Sequence, residues 1–457
     1  MYGNFYYNPK QKNNYRHYFL YTMIRIYTEP IFLPEKEYVF TVLFKEILGL
    51  DFSIHTSSVS RQYKIHLPNN ATIEFRDAFF SGFSESVGYC STDNIPKKIT
   101  YLKDVLPEQT IPVLYGDASY NEINDQSLYC GVDIIAGAFF MLSRWEETSI
   151  EERDSFGRFP ERLSLAVKHN FIQLPIVHIY AELFKKMATE LGAKIQIKRT
   201  FKKTLTHDID FMYKWMNSTD FLRTLCGDLC KRASIQTFKT SWALRKQKKD
   251  PYDTFDKLMT ISEQIGTQST FYFLLTPRNN KALASERGKQ VISNIIHRNH
   301  SFGIHLNEWT EAEFPLIQKT ITQFETIAES KITKSRQHFL KIQVPDTLRV
   351  LEQVGIYQDS SLYYRNNPGF RTGMCIEHSM FDCINRKIMS IKELPLILMD
   401  VSLQKYTQIE DAQTLIYTLI QTTKKYSGNF VCLWHNSSFD YHTWKNGDEL
   451  YSYLIEI

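Results

Sequence analysis

The sequence predicts an α/β fold in which a parallel sheet with helical crossovers follows an N-terminal α+β domain. After residue 198, short apolar runs typical of strands alternate with amphipathic runs typical of helices, and this alternation indicates parallel strands. Roughly seven strands within about 250 residues suit a closed barrel as well as an open sheet. Because the first 198 residues lack this alternation, we predict two domains, residues 1–198 and residues 199–457.

The composition is that of a folded protein without a membrane-spanning segment. Hydrophobic residues make up 43% of the 457 residues, which is enough to fill large cores. The formal net charge of +4 is small and argues against a nucleic-acid-binding protein, which would carry a concentrated basic face. A membrane span needs about 18 consecutive apolar residues, and no such run occurs.

The expected location is the cytoplasm. The N-terminal residues MYGNFYYNPKQKNN are polar and aromatic, and they lack the apolar core of a signal peptide. The seven cysteines are odd in number and scattered, which fits a reducing compartment better than a disulfide framework. The composition does not indicate an oligomeric state.

The N-terminal domain contains predicted helices and one predicted hairpin. Two alternating runs flank Pro68, Asn69 and Asn70, which are typical turn residues. Three apolar runs predict helices, and Gly192 closes the last of them. The hairpin strands are residues 62–67 and 71–75, and the helices are residues 38–50, 132–145 and 175–191.

The C-terminal domain supplies the alternating strands and helices. A long basic segment, residues 218–250, is interpreted as a helical insertion after the first strand, and its charge run RKQKKD as a solvated face. The predicted helices are residues 253–265, 285–298, 311–330, 346–354 and 409–425. The predicted strands are residues 204–208, 269–275, 302–305, 333–340, 357–360, 394–399 and 429–435.

Side chains with catalytic potential gather at the ends of the predicted strands. In parallel α/β folds the active site forms at the carboxyl ends of the strands. Five of the strands end in LTHDID, GIHLNEW, SRQHFL, YQDSS and CLWHNS, and four of these ends contain histidine. Since the first 198 residues contain no comparable set, we expect the active site in the C-terminal domain.

Asp208 and Asp210 are the first candidate pair. At a strand end, residues two apart point to the same side. A metal ion bound by one carboxylate would leave the other free as a base, since two unshielded carboxylates raise one another's pKa. The alternative for Asp210, which precedes FMYKWM, is the N-cap of a helix.

Further candidates lie on the third, fourth and last strands. His305 is a metal-ligand candidate at a strand end, and its alternative is a hydrogen-bonded core histidine. Arg336 and His338 alternate in SRQHFL and could both face the site, with Arg336 paired to a carboxylate or in an ordinary structural ion pair. His435 could be a general acid or a buried, hydrogen-bonded imidazole.

In this order, the strand ends resemble the polysaccharide deacetylase family, also called the NodB homology domain or carbohydrate esterase family 4. The resemblance covers about residues 199–457 and implies a distorted seven-stranded (β/α) barrel that removes acetyl groups from sugars with a divalent metal. It implies that Asp208 is the base, and that Asp210 and His305 bind the metal. By the same resemblance, Arg336 orients the base and His435 protonates the leaving group.

The same resemblance marks residues expected near the substrate. YQDSSLYYRNNPGFRTG is similar to the family's fourth region and contains Asp359 and Arg371. Arg371 could bind an anionic group of the substrate, or it could anchor its own loop through an ion pair. The combined order of motifs resembles a bacterial branch of the family with an extra N-terminal domain of unknown function, which includes FGRFPERLSLAVKHNFIQLPIV from Phe156 onward.

The chain departs from the family pattern at one metal ligand. The family's second motif is H-x-x-x-H, and four positions after His305 stands Trp309, whose indole cannot bind a metal. Catalytic zinc usually has three protein ligands, and Glu308 or His338 could supply the third. Trp309 itself is then a candidate substrate contact. Alternatively, the metal is lost and the barrel is a non-catalytic scaffold that binds glycans.

The expected function is therefore removal of acetyl groups from N-acetylated or O-acetylated sugars of a bacterial polysaccharide or its precursor. The resemblance implies a divalent metal as the cofactor, with zinc first and cobalt or nickel next, and a carbohydrate as the partner. An amidohydrolase is a further alternative, but its first strand usually ends in H-x-H. The sequence contains no HExxH, P-loop or GxSxG motif, which removes support for zincins, NTPases and serine hydrolases.

Overall fold

The computed structural model describes residues 23–57, 61–84, 88–440 and 442–457. The N-terminal residues 1–22, on which the expected absence of a signal peptide depends, lie outside this part. The chain divides into two compact units. The first unit comprises the chain up to Ser149, Ile176–Arg199 and Phe381–Ile388, and the second comprises Ile150–Pro175, Thr200–Met380 and Met389–Ile457.

This division differs from a single cut after residue 198. Ile150–Pro175, expected in the N-terminal domain, is part of the second unit, and Phe381–Ile388 is part of the first. Local sequence patterns carry no information about such exchanges, because they depend on which distant segments pack together. The boundary between domains 1–198 and 199–457 stays a prediction.

The first unit is built on two sheets. Its strands are Ile24–Thr28 (β1), Phe52–Thr56 (β2), Gln62–His66 (β3), Thr72–Arg76 (β4), Thr100–Leu106 (β5), Gln109–Val113 (β6), Gly116–Asn124 (β7) and Ser127–Val132 (β8). Six form a sheet in the order β2-β1-β3-β4-β8-β7, and β5 pairs with β6. The predicted hairpin is confirmed, because β3 and β4 pair antiparallel. In its turn Asn70 has a left-handed φ of 65°, which asparagine tolerates.

The predicted helices of the first unit are present with shifted ends. The helix Ile134–Ser143 is buried at every residue, and the Asp133 carboxylate caps it by accepting a hydrogen bond from Ala136 N. The helix predicted over 38–50 starts earlier, at Leu33, because Pro34 is well suited to a first helical turn. The helices are Leu33–Phe40, Ile134–Ser143, Trp145–Ser149 and Ile176–Glu190, and a π-helix, Thr41–Ile47, follows the first.

The largest sheet, which holds the predicted strands of the C-terminal domain, contains nine strands and not the predicted seven. Its strands are Lys202–Ile209 (β9), Ser269–Leu274 (β10), Ser301–Leu306 (β11), Lys334–Gln337 (β12), Gln358–Asp359 (β13), His378–Asp382 (β14), Lys387–Glu393 (β15), Leu396–Met399 (β16) and Asn429–Leu433 (β17). Their order is β14-β15-β13-β12-β11-β10-β9-β17-β16. Each of the seven predicted runs overlaps one of these strands. The two additional strands, β14 and β15, fall in a segment that the sequence analysis did not interpret.

The sheet curls because β15 and β16, which lie toward its two opposite edges, follow one another directly in the chain. On one side β15 pairs in parallel with β13, and on the other β16 pairs in parallel with β17. Only Leu394 and Pro395 separate β15 from β16. Leu394 N still donates to Asp359 O at 2.8 Å, whereas Pro395 has no N–H to continue the ladder. The mixed α/β architecture with a curled, largely parallel sheet therefore agrees with the predicted fold class, although not with its strand count.

Helices accompany the strands of this sheet as the alternation predicts. The inserted segment forms two helices, which begin where Asn217 and Ser234 accept hydrogen bonds from Asp220 N and Thr237 N. Among the described helices, none is long and apolar enough to cross a membrane. The helices are Leu165–Lys168, Ser218–Cys230, Ile235–Lys246, Phe255–Gln264, Pro277–Leu283, Glu286–His297, Phe314–Ala328, Asp346–Gln353, Asp400–Leu403, Ile409–Lys425 and Gly447–Glu456.

Candidate active site

The predicted catalytic residues lie together at the carboxyl ends of the strands of the nine-stranded sheet. The register places Asp208 of β9 beside Tyr272 of β10, and His305 of β11 beside Arg336 of β12. A cavity of about 170 Å³ opens at these strand ends. Of the predicted residues, it is lined by Asp208, Asp210, His305, His338 and His435.

A larger cavity of about 910 Å³ lies at the opposite, amino ends of the same strands. Lys203, Lys334 and Asn429 are among its lining residues, and no histidine is among the described residues that line it. Size therefore does not identify the reactive end of this unit. The smaller cavity contains the groups that can bind a metal and transfer protons, and we assign the candidate site to it.

Asp210, His305 and His338 could hold a metal ion. Each offers one ligand atom, and these atoms lie within 4.8 Å of one another. The sequence left the third ligand open between Glu308 and His338. The structure brings His338 to the cavity, whereas the half-buried Glu308 is not among the residues that line it. Two imidazoles and one carboxylate are a donor set typical of zinc.

The hydrogen bonds of these three residues suit metal binding. His305 Nδ1 donates to Arg336 O at 2.9 Å, which leaves its Nε2 as the lone-pair atom toward the cavity. His338 Nδ1 lies 3.3 Å from Asn307 Oδ1, an acceptor, so that its Nε2 is also available. Asp210 Oδ1 is buried without a hydrogen-bond partner, 3.4 Å from His305 Nε2. A buried carboxylate oxygen of this kind is satisfied by a cation, and the residues present therefore fit a metal.

The two histidines have opposite pKa shifts. Burial lowers the pKa of His305, but Asp208 and Asp210 outweigh it and raise the pKa above its ordinary value. Burial and the charge of His305 lower the pKa of His338 to about 4. The lowered pKa leaves His338 neutral and ready to bind a metal at neutral pH, whereas the raised pKa of His305 means that a metal competes more strongly with a proton there.

Burial also acts on Asp210, whose pKa it raises. The neighbouring imidazole of His305 and the positive charge of His435 outweigh that effect and hold the pKa of Asp210 well below its usual range. Asp210 is consequently an anion over the whole physiological range of pH. An anionic oxygen is the form of carboxylate that a divalent metal binds.

Asp208 forms an ion pair with Arg336 and is not one of the three possible metal ligands. Arg336 Nη1 donates to Asp208 Oδ1 at 2.9 Å, and both side chains are buried. The remaining guanidinium bonds reach Thr206 Oγ1, Ser360 O and Ser360 Oγ, all at 2.8 Å. Because these bonds fix the guanidinium plane, Arg336 sets the orientation of the Asp208 carboxylate. Asp208 Oδ2 remains on the cavity side, 3.6 Å from His305 Nε2.

His435 is held by a carboxylate that the sequence analysis missed. Its Nδ1 donates to Asp400, at 2.9 Å from Oδ1, and its backbone N–H donates to Asp400 Oδ2 at 2.8 Å. Burial alone would lower the pKa of His435, but Asp400 outweighs it and raises the pKa to about 10. The signal was present, since Asp400 directly follows the strand β16 in LILMD, and the rule of strand ends applied to that strand would have found it.

Asp400→Asn should lower the pKa of His435 from about 10 toward its ordinary value near 6.5. The amide still accepts a hydrogen bond, but it no longer stabilises the imidazolium. Because the pKa is raised in the folded state, the charge of His435 stabilises the fold fully below pH 6.5, and this contribution is lost as the pH rises through about 10. As the pH rises from about 6.5 to about 10, the free energy of unfolding should therefore fall less in the variant than in the wild type.

The measurement is an NMR titration of the His435 ring in the metal-free protein, with denaturant unfolding at about pH 6 and about pH 10. Ser437→Ala is a matched control, since in the described structure the hydrogen bonds to the Asp400 carboxylate come from His435 and Ser438 and not from the Ser437 side chain. An unchanged titration of His435 in Asp400→Asn would contradict the assigned cause.

Three predicted substrate residues are not among those that line the cavity. Asp359 is buried and accepts hydrogen bonds from Ser335 Oγ at 2.6 Å and from Ser361 N at 2.9 Å. Arg371 donates to a backbone carbonyl, and Trp309 donates its backbone N–H to a carboxylate at 3.0 Å. Their role as substrate contacts stays a prediction, and each already has a structural partner.

The rim of the cavity contains residues that the sequence did not mark. Arg158, Phe339 and Arg365 line it together with apolar side chains of the strand ends. Arg158 comes from residues 150–175, which the sequence analysis placed in the other domain. No local pattern indicates such a contribution, because it depends on packing between segments that are about 180 residues apart.

Comparison with known proteins gives one sequence family and several similar folds. Residues 24–193 match the model of a family of unknown function, DUF7033. No curated protein matches the chain. A Mycobacterium smegmatis chain, whose name assigns it provisionally to the polysaccharide deacetylases, is 15% identical with a TM-score of 0.37, and the similarity covers 58% of this chain and 86% of that one.

Two further solved structures show the same kind of similarity. A Pseudomonas aeruginosa chain with a provisional polysaccharide deacetylase name is 9% identical over 56% of this chain and 83% of its own, with a TM-score of 0.35. A CE4 family pseudoenzyme from Bacillus anthracis is 10% identical over 57% of this chain and 62% of its own, with a TM-score of 0.29. At these values the similarity carries no argument about activity.

Proposed function

We propose that this chain is a metal-dependent hydrolase that removes acetyl groups from N-acetylated or O-acetylated sugars of a polysaccharide or its precursor. One observation carries the proposal: three possible metal ligands share a cavity with a carboxylate fixed by an arginine and an imidazole fixed by a carboxylate. These are the parts that hydrolysis of an amide needs, namely a Lewis acid, a base and an acid. The site is formed by residues after 198 together with the rim residue Arg158.

Asp210, His305 and His338 would hold the metal, with zinc as the first candidate and cobalt or nickel next. When bound, the metal polarises the acyl carbonyl and makes a water more acidic. Asp208 is positioned to take the proton of the attacking water, because Arg336 binds Oδ1 and leaves Oδ2 on the cavity side. The roles of these residues also follow the resemblance to the polysaccharide deacetylase family.

His435 is suited to protonate the departing amine. With its pKa raised to about 10 it is an imidazolium at neutral pH, and Asp400 holds its Nδ1 so that Nε2 faces the cavity. His435 Nε2 lies 4.0 Å from Asp210 Oδ2, next to the candidate metal ligands. The proposed acid, His435, and the proposed base, Asp208, thus line the same cavity as the candidate metal ligands.

The size and walls of the cavity favour a small acyl group. Its volume of about 170 Å³ is below the roughly 300–1,000 Å³ of pockets that enclose a whole small-molecule ligand. Leu340, Met399, Val401 and Leu433 give it an apolar wall that suits a methyl group. We therefore propose that the acetyl group enters the cavity while the sugar ring lies at the rim.

The test is release of acetate from N-acetylated oligosaccharides by the full chain, with and without added zinc, cobalt or nickel. We expect release that depends on metal and that stops after chelation. Metal binding and oligosaccharide binding, measured by calorimetry on the same preparation, complete the experiment. Binding of oligosaccharide without any release of acetate would overturn catalysis and would favour the glycan-binding scaffold, which the replacement of a ligand by Trp309 suggests.

A further inference from the structure

The candidate ligand His338 sits at the start of a strained turn. The turn is His338–Leu340, directly after β12. Phe339 and Leu340 have left-handed φ values of 56° and 54°. This conformation is costly for bulky side chains and persists only where the surroundings hold it. Something outside the turn must therefore stabilise it.

Residues 154–158, here named the clamp, contact this turn. Phe156 packs its ring on Phe339, with centroids 5.3 Å apart. Arg158 Nη1 donates to Phe339 O at 3.0 Å, and the guanidinium lies 4.8 Å from the centre of the Phe156 ring. The clamp thus binds both the side chain and the carbonyl of the first left-handed residue. On the other side of the bend, the His338 and Phe339 rings are in contact, 3.9 Å apart.

The clamp is closed by hydrogen bonds within residues 154–158. The Asp154 carboxylate accepts hydrogen bonds from Phe156 N, Arg158 N and Arg158 Nε at 2.9–3.0 Å. Backbone bonds join Asp154 N to Arg158 O and Gly157 N to Asp154 O, both at 2.9 Å. A loop with these internal bonds can hold another segment without being deformed by it.

The Trp309 indole packs against the clamp at Gly157. A Cβ on Gly157 would lie 3.0 Å from Trp309 Cζ2, so that the indole and the glycine backbone are in close contact. Gly157 also has a φ of 80°, which other residues rarely adopt. The residue that stands at the family's second histidine position therefore supports the clamp, and the clamp contacts the turn that carries His338.

We infer that the clamp is a positioning element for the third metal ligand, in which Arg158 holds the His338–Leu340 turn so that His338 reaches Asp210 and His305. The inference rests on the proposed metal site. It explains why replacement of a histidine by Trp309 is compatible with three ligands: the indole anchors the segment that positions the new ligand. Arg158 acts through the turn and does not itself contact the metal ligands.

The test compares zinc affinity of the metal-free full chain by calorimetry. Arg158→Ala should weaken zinc binding about 10-fold, as loss of an outer-shell partner does, while the melting temperature without metal stays close to that of the wild type. The control is Arg162→Ala, since Arg162 is 67% exposed and its one ion pair within the described part of the chain is with the exposed Glu152. With cobalt, the visible absorption of Arg158→Ala should report a changed ligand geometry.

A double mutant separates positioning from general support. If Arg158 acts through His338, Arg158→Ala has no further effect on zinc affinity in a His338→Ala background. Additive losses, or wild-type affinity in Arg158→Ala, would overturn the clamp and leave the metal site standing. Absence of zinc binding in the wild type would overturn both proposals. Should Arg158→Ala not fold, Phe156→Leu removes the ring contact at an exposed position and should weaken zinc binding in the same direction.

Discussion

Asp208→Asn should remove most of the turnover and leave zinc affinity nearly unchanged. The amide keeps the shape of the carboxylate and can still accept the hydrogen bond from Arg336, but it cannot take a proton from water. Loss of a general base typically costs about 10²–10⁴-fold in rate. Since the metal would be held by other residues, the site should still fill with zinc.

The matched variant is Asp210→Asn, two residues further along the same strand end. It removes an anionic ligand whose Oδ1 has no other hydrogen-bond partner, and it should weaken metal binding first. Its activity should partly return at high metal concentration, whereas that of Asp208→Asn should not. Acetate release and zinc titration on both variants distinguish the roles, and loss of metal from Asp208→Asn with retention by Asp210→Asn would reverse the assignment.

His338→Ala should weaken zinc binding more than any change outside the ligand set. Loss of a direct ligand leaves two protein ligands, and the expected loss exceeds the roughly 10–100-fold that outer-shell partners contribute. His338 lies in the ligand cluster with Asp210 and His305, and its low pKa makes it neutral and ready to bind at pH 7.

Glu308→Ala is the control for this prediction, because the sequence allowed Glu308 as the third ligand equally well. We expect it to leave zinc affinity unchanged, since Glu308 is not among the residues that line the cavity. Calorimetry at constant pH compares the two variants. A larger loss in Glu308→Ala than in His338→Ala would show that the ligand set has been assigned to the wrong side of the site.

Much of the site was predictable because strand ends in a parallel sheet meet at one edge. Asp208, Asp210, His305 and His435 were each recognised from a polar residue after an apolar run, and the structure places all four in one cavity. Asp359 shows the limit of the rule, since it also ends a strand but is buried among hydroxyl and backbone donors. Position at a strand end indicates the edge of the sheet, and not which way a side chain turns there.

The sequence by itself determined the order of seven of the nine strands in the larger sheet and the polar residues at the ends of those strands. Hydrophobic periodicity and strand ends are local properties, and they survive whatever the distant contacts are. Only the tertiary structure decided that His338 and not Glu308 lines the cavity, that Asp400 binds His435, and that Arg158 reaches the rim. Each of these depends on the curl of the sheet and on contacts between segments far apart in the chain, which no local pattern encodes.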